Sequence, residues 1–248
     1  MKAIVAAILV TIFAAPLVAQ QWQWPDKPKN LHVLPPTTTG KILQRTMQGF
    51  TSGLGVRCVY CHVGEEGKDF STFDFASDDK PEKDKARIMY RMVNAVNTQF
   101  LVELNGGRAS SIPVTCVTCH HGNTMPILLE DKLKRTFDVS GIDSTVKQYR
   151  ALKDKFYGGF AYNFKEGTLL RLADKIMEDS TKSAEGIQVL KLNMEIYPAF
   201  AFSYVHLANY YEGQGNIQSA IENYQQAVKL SPKDERLQKQ LERLQGKK

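Results

Sequence analysis

The chain has 248 residues, 43% hydrophobic and 23% charged, with a formal net charge of +6. That composition excludes a disordered chain and a polytopic membrane protein, and the length allows two ordinary domains. Lys and Arg are spread along the chain, which excludes a nucleic-acid stripe and leaves solubility or an acidic partner as the use of the charge.

Residues 1–19 place Lys2 before an apolar run from Ala3 to Val18, with a small-residue stop at Ala19. This is the pattern of a cleaved export signal, so a periplasmic protein is expected, without the cysteine near Ala19 that a lipoprotein would carry. The run is close to the shortest that spans a bilayer, and an uncleaved anchor is the alternative.

The next element is a helix over Thr39–Leu54, where Ile42, Leu43, Met47, Phe50 and Leu54 recur at helical spacing before Gly53 and Gly55 end it. It runs straight into Cys58-Val59-Tyr60-Cys61-His62. A second helix opens at Pro81 and reaches about Leu104, with Met89, Met92, Val93, Val96, Phe100 and Leu101 on its apolar side. A loop, Asn105–Pro113, then leads to Cys116-Val117-Thr118-Cys119-His120.

These motifs use all four cysteines of the chain. A structural zinc site, a thiol redox pair or two disulfides would each explain Cys-x-x-Cys, but none explains a His directly after both pairs. Two thiols that add to haem vinyl groups, with the next residue beneath the iron, account for the whole pattern. Two covalently bound haem c groups are therefore expected, on Cys58 and Cys61 and on Cys116 and Cys119, with His62 and His120 as proximal ligands. Methionine is the usual partner of histidine in electron transfer at raised potential. Met47 is the candidate distal ligand of the first haem, the other reading being an ordinary core methionine. Met92 is the candidate for the second, with Met89, His121 and Met125 as alternatives.

Residues 28–127 resemble the cytochrome subunit of photosynthetic reaction centres and its shorter bacterial relatives. The resemblance rests on Asn30-Leu31-His32-Val33-Leu34-Pro35, the Met47 helix, Gly55-Val56-Arg57-Cys58, Asp74-Phe75-Ala76-Ser77-Asp78-Asp79-Lys80-Pro81, Ala86-Arg87-Ile88-Met89-Tyr90-Arg91-Met92 and the stretch from Val114 to Gly122. It implies that each haem unit is a helix whose Met reaches iron, a turn, and the Cys-x-x-Cys-His segment, so that Met47 and Met92 fall on the ligand positions. The sequence departs from the family in having two haem motifs where the photosynthetic subunit has four, in His121 where Arg is common, and in lacking a His between Met92 and Cys116.

From Phe200 onward, Tyr204, Leu207, Ala208, Tyr211, Gly215, Ala220, Tyr224, Ala227 and Pro232 fall on the positions of a 34-residue tetratricopeptide (TPR) repeat. Helical spacing in Leu169–Met177 and Ile187–Met194, with Pro198 one repeat length before Pro232, points to a degenerate preceding repeat. Asp234–Leu244 reads as a polar capping helix. The expected fold is mainly α: a loop-rich dihaem domain over 20–127, a connector over 128–156, and a TPR-like helical domain over 157–248 entered through the turn Tyr157-Gly158-Gly159-Phe160.

The leading functional expectation is a carrier of single electrons between redox proteins, a membrane-bound complex among them. No catalytic residue is then required. A dihaem peroxidase would need one open iron site and an acid/base pair, for which His32, His121 and Asp74 are the groups at hand. An assembly subunit, whose repeats bind a protein partner or stabilise the haem domain, is the third class.

Overall fold

The computed structural model describes residues 22–109 and 112–246, so the expected export signal lies outside the described residues. The fold is mainly α, and an isolated antiparallel bridge between Val63 and Asp74 is its only β pairing among the described residues.

Helix α1, Gly40–Leu54, ends at Gly55, whose φ of 65° needs a residue without a β-carbon penalty and whose N–H bonds back to Thr51 O. A 3₁₀ turn, Cys58–Tyr60, follows at once. Helix α2, Pro81–Ala95, starts on its proline and carries Glu82 and Asp84 in the first turn, where the helix dipole favours them. The single helix expected from Pro81 to Leu104 is realised with a π turn at Val96–Phe100 before α3, Leu101–Leu104. Here the side chain of Asn97 bonds Val114 through both its amide groups, Nδ2 to O and Oδ1 from N, at 2.8 Å each, which anchors the segment leading to the second motif. That motif forms α4, Cys116–His120.

Residues 128–156, expected as a connector, are instead α5, Leu129–Phe156. Its two halves meet at Gly141, with φ 72° and ψ −175°, a conformation that is essentially glycine's alone. Leu129, Leu133, Phe137 and Tyr149 of α5 are buried in the main hydrophobic core with α6, Glu166–Met177, and α7, Ser183–Ile196. The kink splits the apolar repeat, so no single helical period runs through the segment. Tyr157–Phe160 is the turn between α5 and α6.

The repeat pair is α8, Ala201–Gly213, and α9, Ile217–Leu230. Ala208, Ala220 and Ala227 are fully buried where the two helices approach, Gly215 takes φ 72° at the turn, and Asn216 caps α9 through Ser219 N. Helix α10, Glu235–Leu244, is capped by Asp234 and buries Leu237 against this pair. Between the two pairs, Asn193 Nδ2 donates to Glu166 O and to Ser203 Oγ, in a buried position that ties α7 to α6 and α8.

Candidate functional site

A cavity of about 460 Å³ lies between α1, the first Cys-x-x-Cys-His turn and α2. Met47 of α1, Cys58, Cys61 and His62 all line it, with Trp22, Phe73 and Phe75 as apolar wall. The turn places His62 by bonding its N–H to Cys58 O at 3.0 Å. Phe75 packs against the imidazole edge-on, 5.0 Å between ring centres. Burial, then the Lys83 charge, lowers the His62 pKa to about 4, opposed by a backbone carbonyl of Phe75, so the ring is neutral and able to bind a metal ion. Its Nδ1 is buried with no hydrogen-bond partner of good geometry.

The loop from Val63 to Lys80 closes this cavity through fixed polar groups. Asp74 Oδ1 accepts from Ala76 N and Ser77 N. Asn30, in the left-handed region at φ 59°, donates to Ala76 O and to Asp78 Oδ1, and its own Oδ1 meets His32 Nε2 at 2.6 Å. Lys83 Nζ donates to the carbonyls of Phe75, Ala76 and Ser77 at 3.0, 3.0 and 2.6 Å and pairs with Asp78 at 3.1 Å. Lys80 Nζ donates to Val59 O inside the first motif.

A second cavity, about 110 Å³, is lined by Met89, Met92, Cys116, Cys119 and His120. Helix α2 therefore serves both cavities, with Ala86, Arg87 and Tyr90 at the first and Met89, Met92 and Val93 at the second. Met89 and Met92 stand three residues apart, on one face, so both expected candidates reach this site. Thr118 Oγ1 accepts from Thr115 N at 3.0 Å and caps the short helix of the motif. His120 is buried, and its Nδ1 lies 2.9 Å from Asn123 O, which leaves Nε2 as the ring nitrogen that could hold a metal ion. His121 adopts φ 50° and meets Phe160, and Met125 is exposed with Arg135 Nη1 against its sulfur. Neither lines the second cavity.

The two cavities share Phe50, Cys61 and Ala86 as a common wall. The end of α1 is stitched to the second motif: Gly122 N donates to Gly53 O at 2.9 Å, a β-carbon on Gly53 would stand 2.6 Å from Cys116 Cβ, and one on Gly55 would collide with Gly122 O. Sequence reasoning missed this crossing, the shared wall, the Lys83 cluster and Asn123. No spacing in the sequence marks the crossing and the shared wall, which join residues far apart along the chain, and the Lys83 and Asn123 bonds are made to backbone carbonyls that carry no residue signal.

The donor set fits covalent haem at each site: two thiols, an imidazole and a thioether around one apolar-walled cavity. Burial pushes the Cys61 and Cys116 thiols up, the reverse of an activated thiol pair. Among the described residues no three or more His, Cys, Asp and Glu side chains converge as a metal cage would require.

Known proteins resemble the same part of the chain. Cytochrome c-554 of Chloroflexus aurantiacus is 36% identical over 113 residues, 45% of this chain and 24% of that protein. The photosynthetic reaction center cytochrome c subunit of Thermochromatium tepidum is 32% identical over 100 residues, 40% of this chain and 21% of that protein. The chain thus spans about a quarter or less of the length of these relatives. Residues 201–234 match the tetratricopeptide repeat family. Residues 15–170, more than half of the chain, match the photosynthetic reaction centre cytochrome c subunit family, and with both haem motifs and their helical methionines inside that span, the protein belongs to this family.

Proposed function

We propose that the protein is a periplasmic dihaem c-type cytochrome that carries single electrons between redox partners. The observation that carries this reading is that each Cys-x-x-Cys-His motif shares a cavity with a methionine of an α-helix. Cys58, Cys61, His62 and Met47 hold the first haem, and Cys116, Cys119, His120 and Met92 the second. Haem bound in this way supplies a one-electron ferric/ferrous couple. The residues of the chain orient it: the turn of the first motif sets His62, and the Asn123 carbonyl sets the His120 tautomer. The common wall of Phe50, Cys61 and Ala86 makes the two sites neighbours, so an electron can move between them without leaving the protein.

Residues 1–19 serve as the export signal, which suits a cofactor attached outside the cytoplasm. Donor and acceptor are redox proteins, a membrane-bound complex among them, in keeping with the reaction-centre subunit among the relatives. The repeat pair serves docking of a protein partner or stability. A peroxidase is disfavoured because two of the polar groups it would recruit are already committed, His32 to Asn30 and Asp74 to two backbone amides.

Acid-acetone extraction with intact mass tests the reading: the colour stays with the protein, and the mature chain carries two haem additions. Colour leaving with the solvent, or fewer than two additions on fully matured protein, overturns it. A weak near-infrared sulfur-to-iron band in the oxidised protein, and no rapid carbon monoxide binding to the reduced protein, test the Met ligands against an open site.

A further inference from the structure

The two cavities differ in charge. The first is lined by Lys27, Lys29, Arg57, Lys83 and Arg87 against the single carboxylate of Asp74, whereas the second has Lys85 and Glu82. Most of these cations face water: Lys27 and Lys29 are exposed, and Arg57 pairs with Glu66 at 76% side-chain exposure. Solvent and salt screen such charges. Lys83 and Arg87 are different, at 12% and 13% exposure.

Both are also held in place by partners within the protein. The Lys83 ammonium is ringed by three loop carbonyls and Asp78, and Arg87 is held by Asp78 at 2.8 Å and Asp84 at 2.5 Å. With its donors so committed, Lys83 is not available as the counterion of a ligand carboxylate. The carboxylates that face them lie on the solvent side, Asp78 at 39% and Asp84 at 64% exposure. Their fields are screened more than those of the cations, and the field left inside the first cavity is positive.

We propose that Lys83, with Arg87 beside it, is a positioning residue that holds the first haem site at a higher reduction potential than the second. This rests on the haem reading given above. Reduction adds one electron to a site, with no proton taken up and no bond made or broken, and a fixed cation nearby favours that added negative charge. The second cavity has no buried cation in its lining, since Lys85 is 71% exposed. At equilibrium a single electron on the protein rests at the first site.

Coulomb's law at an effective dielectric of about 20 makes a unit charge within about 10 Å worth on the order of tenfold in such an equilibrium. For a one-electron couple, tenfold is about 59 mV. The test is a spectroelectrochemical titration of the full, matured chain, comparing wild type with Lys83→Gln, Lys83→Arg, Asp78→Asn and Met47→His. Met47→His marks which wave belongs to the first site. Lys83→Gln is expected to lower that same wave by roughly tenfold in equilibrium constant and leave the other nearly still, while Lys83→Arg restores it.

Asp78→Asn removes the negative partner and is expected to move the first wave the opposite way, upward. A purely structural role would move the wave the same way for both substitutions. If Lys83→Gln fails to mature, the sign of the Asp78→Asn shift decides. A first wave unmoved by either substitution, or the same direction for both, overturns the proposal. Wild-type protein without covalent haem would instead sink the haem reading, which extraction reports separately.

Discussion

Two residues three positions apart are both placed to hold the second haem of the proposed pair. Met89 and Met92 both line the cavity of Cys116, Cys119 and His120. Met92→Ala is expected to remove the share of the near-infrared band that belongs to the second haem and to lower its potential, whereas Met89→Ala, which removes only packing, keeps both. The reverse result assigns the ligand to Met89.

Asp78 supports a different prediction. Hydrogen bonds from Arg87 first, then from Asn30 and Lys83, hold its carboxyl well below the usual carboxylate range. A depressed carboxyl contributes stability that is full above its unfolded value, about 3.9, and is lost as pH falls through the folded one. Asp78→Asn should therefore lower the melting temperature at neutral pH, by loosening the loop that Asn30 and Lys83 also hold. The gap from wild type should close as pH is taken below about 4, where the wild-type carboxyl protonates in the unfolded chain and then in the folded one. Thermal melts against pH measure it. A gap that stays constant from pH 7 to pH 2 would rule out the carboxylate as its source.

Elements with a continuous apolar period were legible from the sequence. Helix α1 begins one residue after the expected Thr39, α2 starts on the expected Pro81, and the repeat pair α8 and α9 turns at Gly215-Asn216. So were the residues of the two motifs, because their chemistry is local and contiguous. Helix α5 was not legible, because Gly141 interrupts the period and because its buried face, Leu129, Leu133, Phe137 and Tyr149, alternates with charged residues. Nor was the loop cluster around Lys83, since one lysine among Lys80, Lys83 and Lys85 on an exposed-looking helix carries no mark of the carbonyls it will meet. Leu133→Ala measures how far α5 belongs to the core: Leu133 is 0% exposed, and removing its side chain should cost about 2–5 kcal/mol of unfolding free energy while leaving both haem spectra unchanged. A cost below about 0.5 kcal/mol, the range of surface substitutions, would mean that α5 acts as a tether.

Taken whole, the molecule joins its haem-motif region to its repeats by more than a covalent link. Asn123, whose carbonyl faces His120 Nδ1, donates its own side-chain amide to Ala161 O at 2.9 Å, and Ile127 packs on the main core. A chain ending at Ile127 should keep both haems, which the cysteines retain covalently. It should keep the first potential and shift the second, because the carbonyl that orients His120 has lost its anchor. Redox titration of the shortened chain checks this, and two unmoved potentials would show that the helical region supports neither site. Loss of either haem after normal export would show that both regions fold as one unit.

The stitch between Gly53, Gly55, Cys116 and Gly122 also has a bearing on biogenesis. The end of α1, just before the first motif, meets residues made some sixty positions later, so a chain emerging from its amino terminus presents Cys58 and Cys61 before this crossing exists. Glycine at Gly53 and Gly55 lets that crossing close like a clasp, since a β-carbon at either would strike Cys116 Cβ or Gly122 O. A bulkier residue at either position would spare early attachment and obstruct the final closure, so its defect would surface in maturation of the second motif rather than the first.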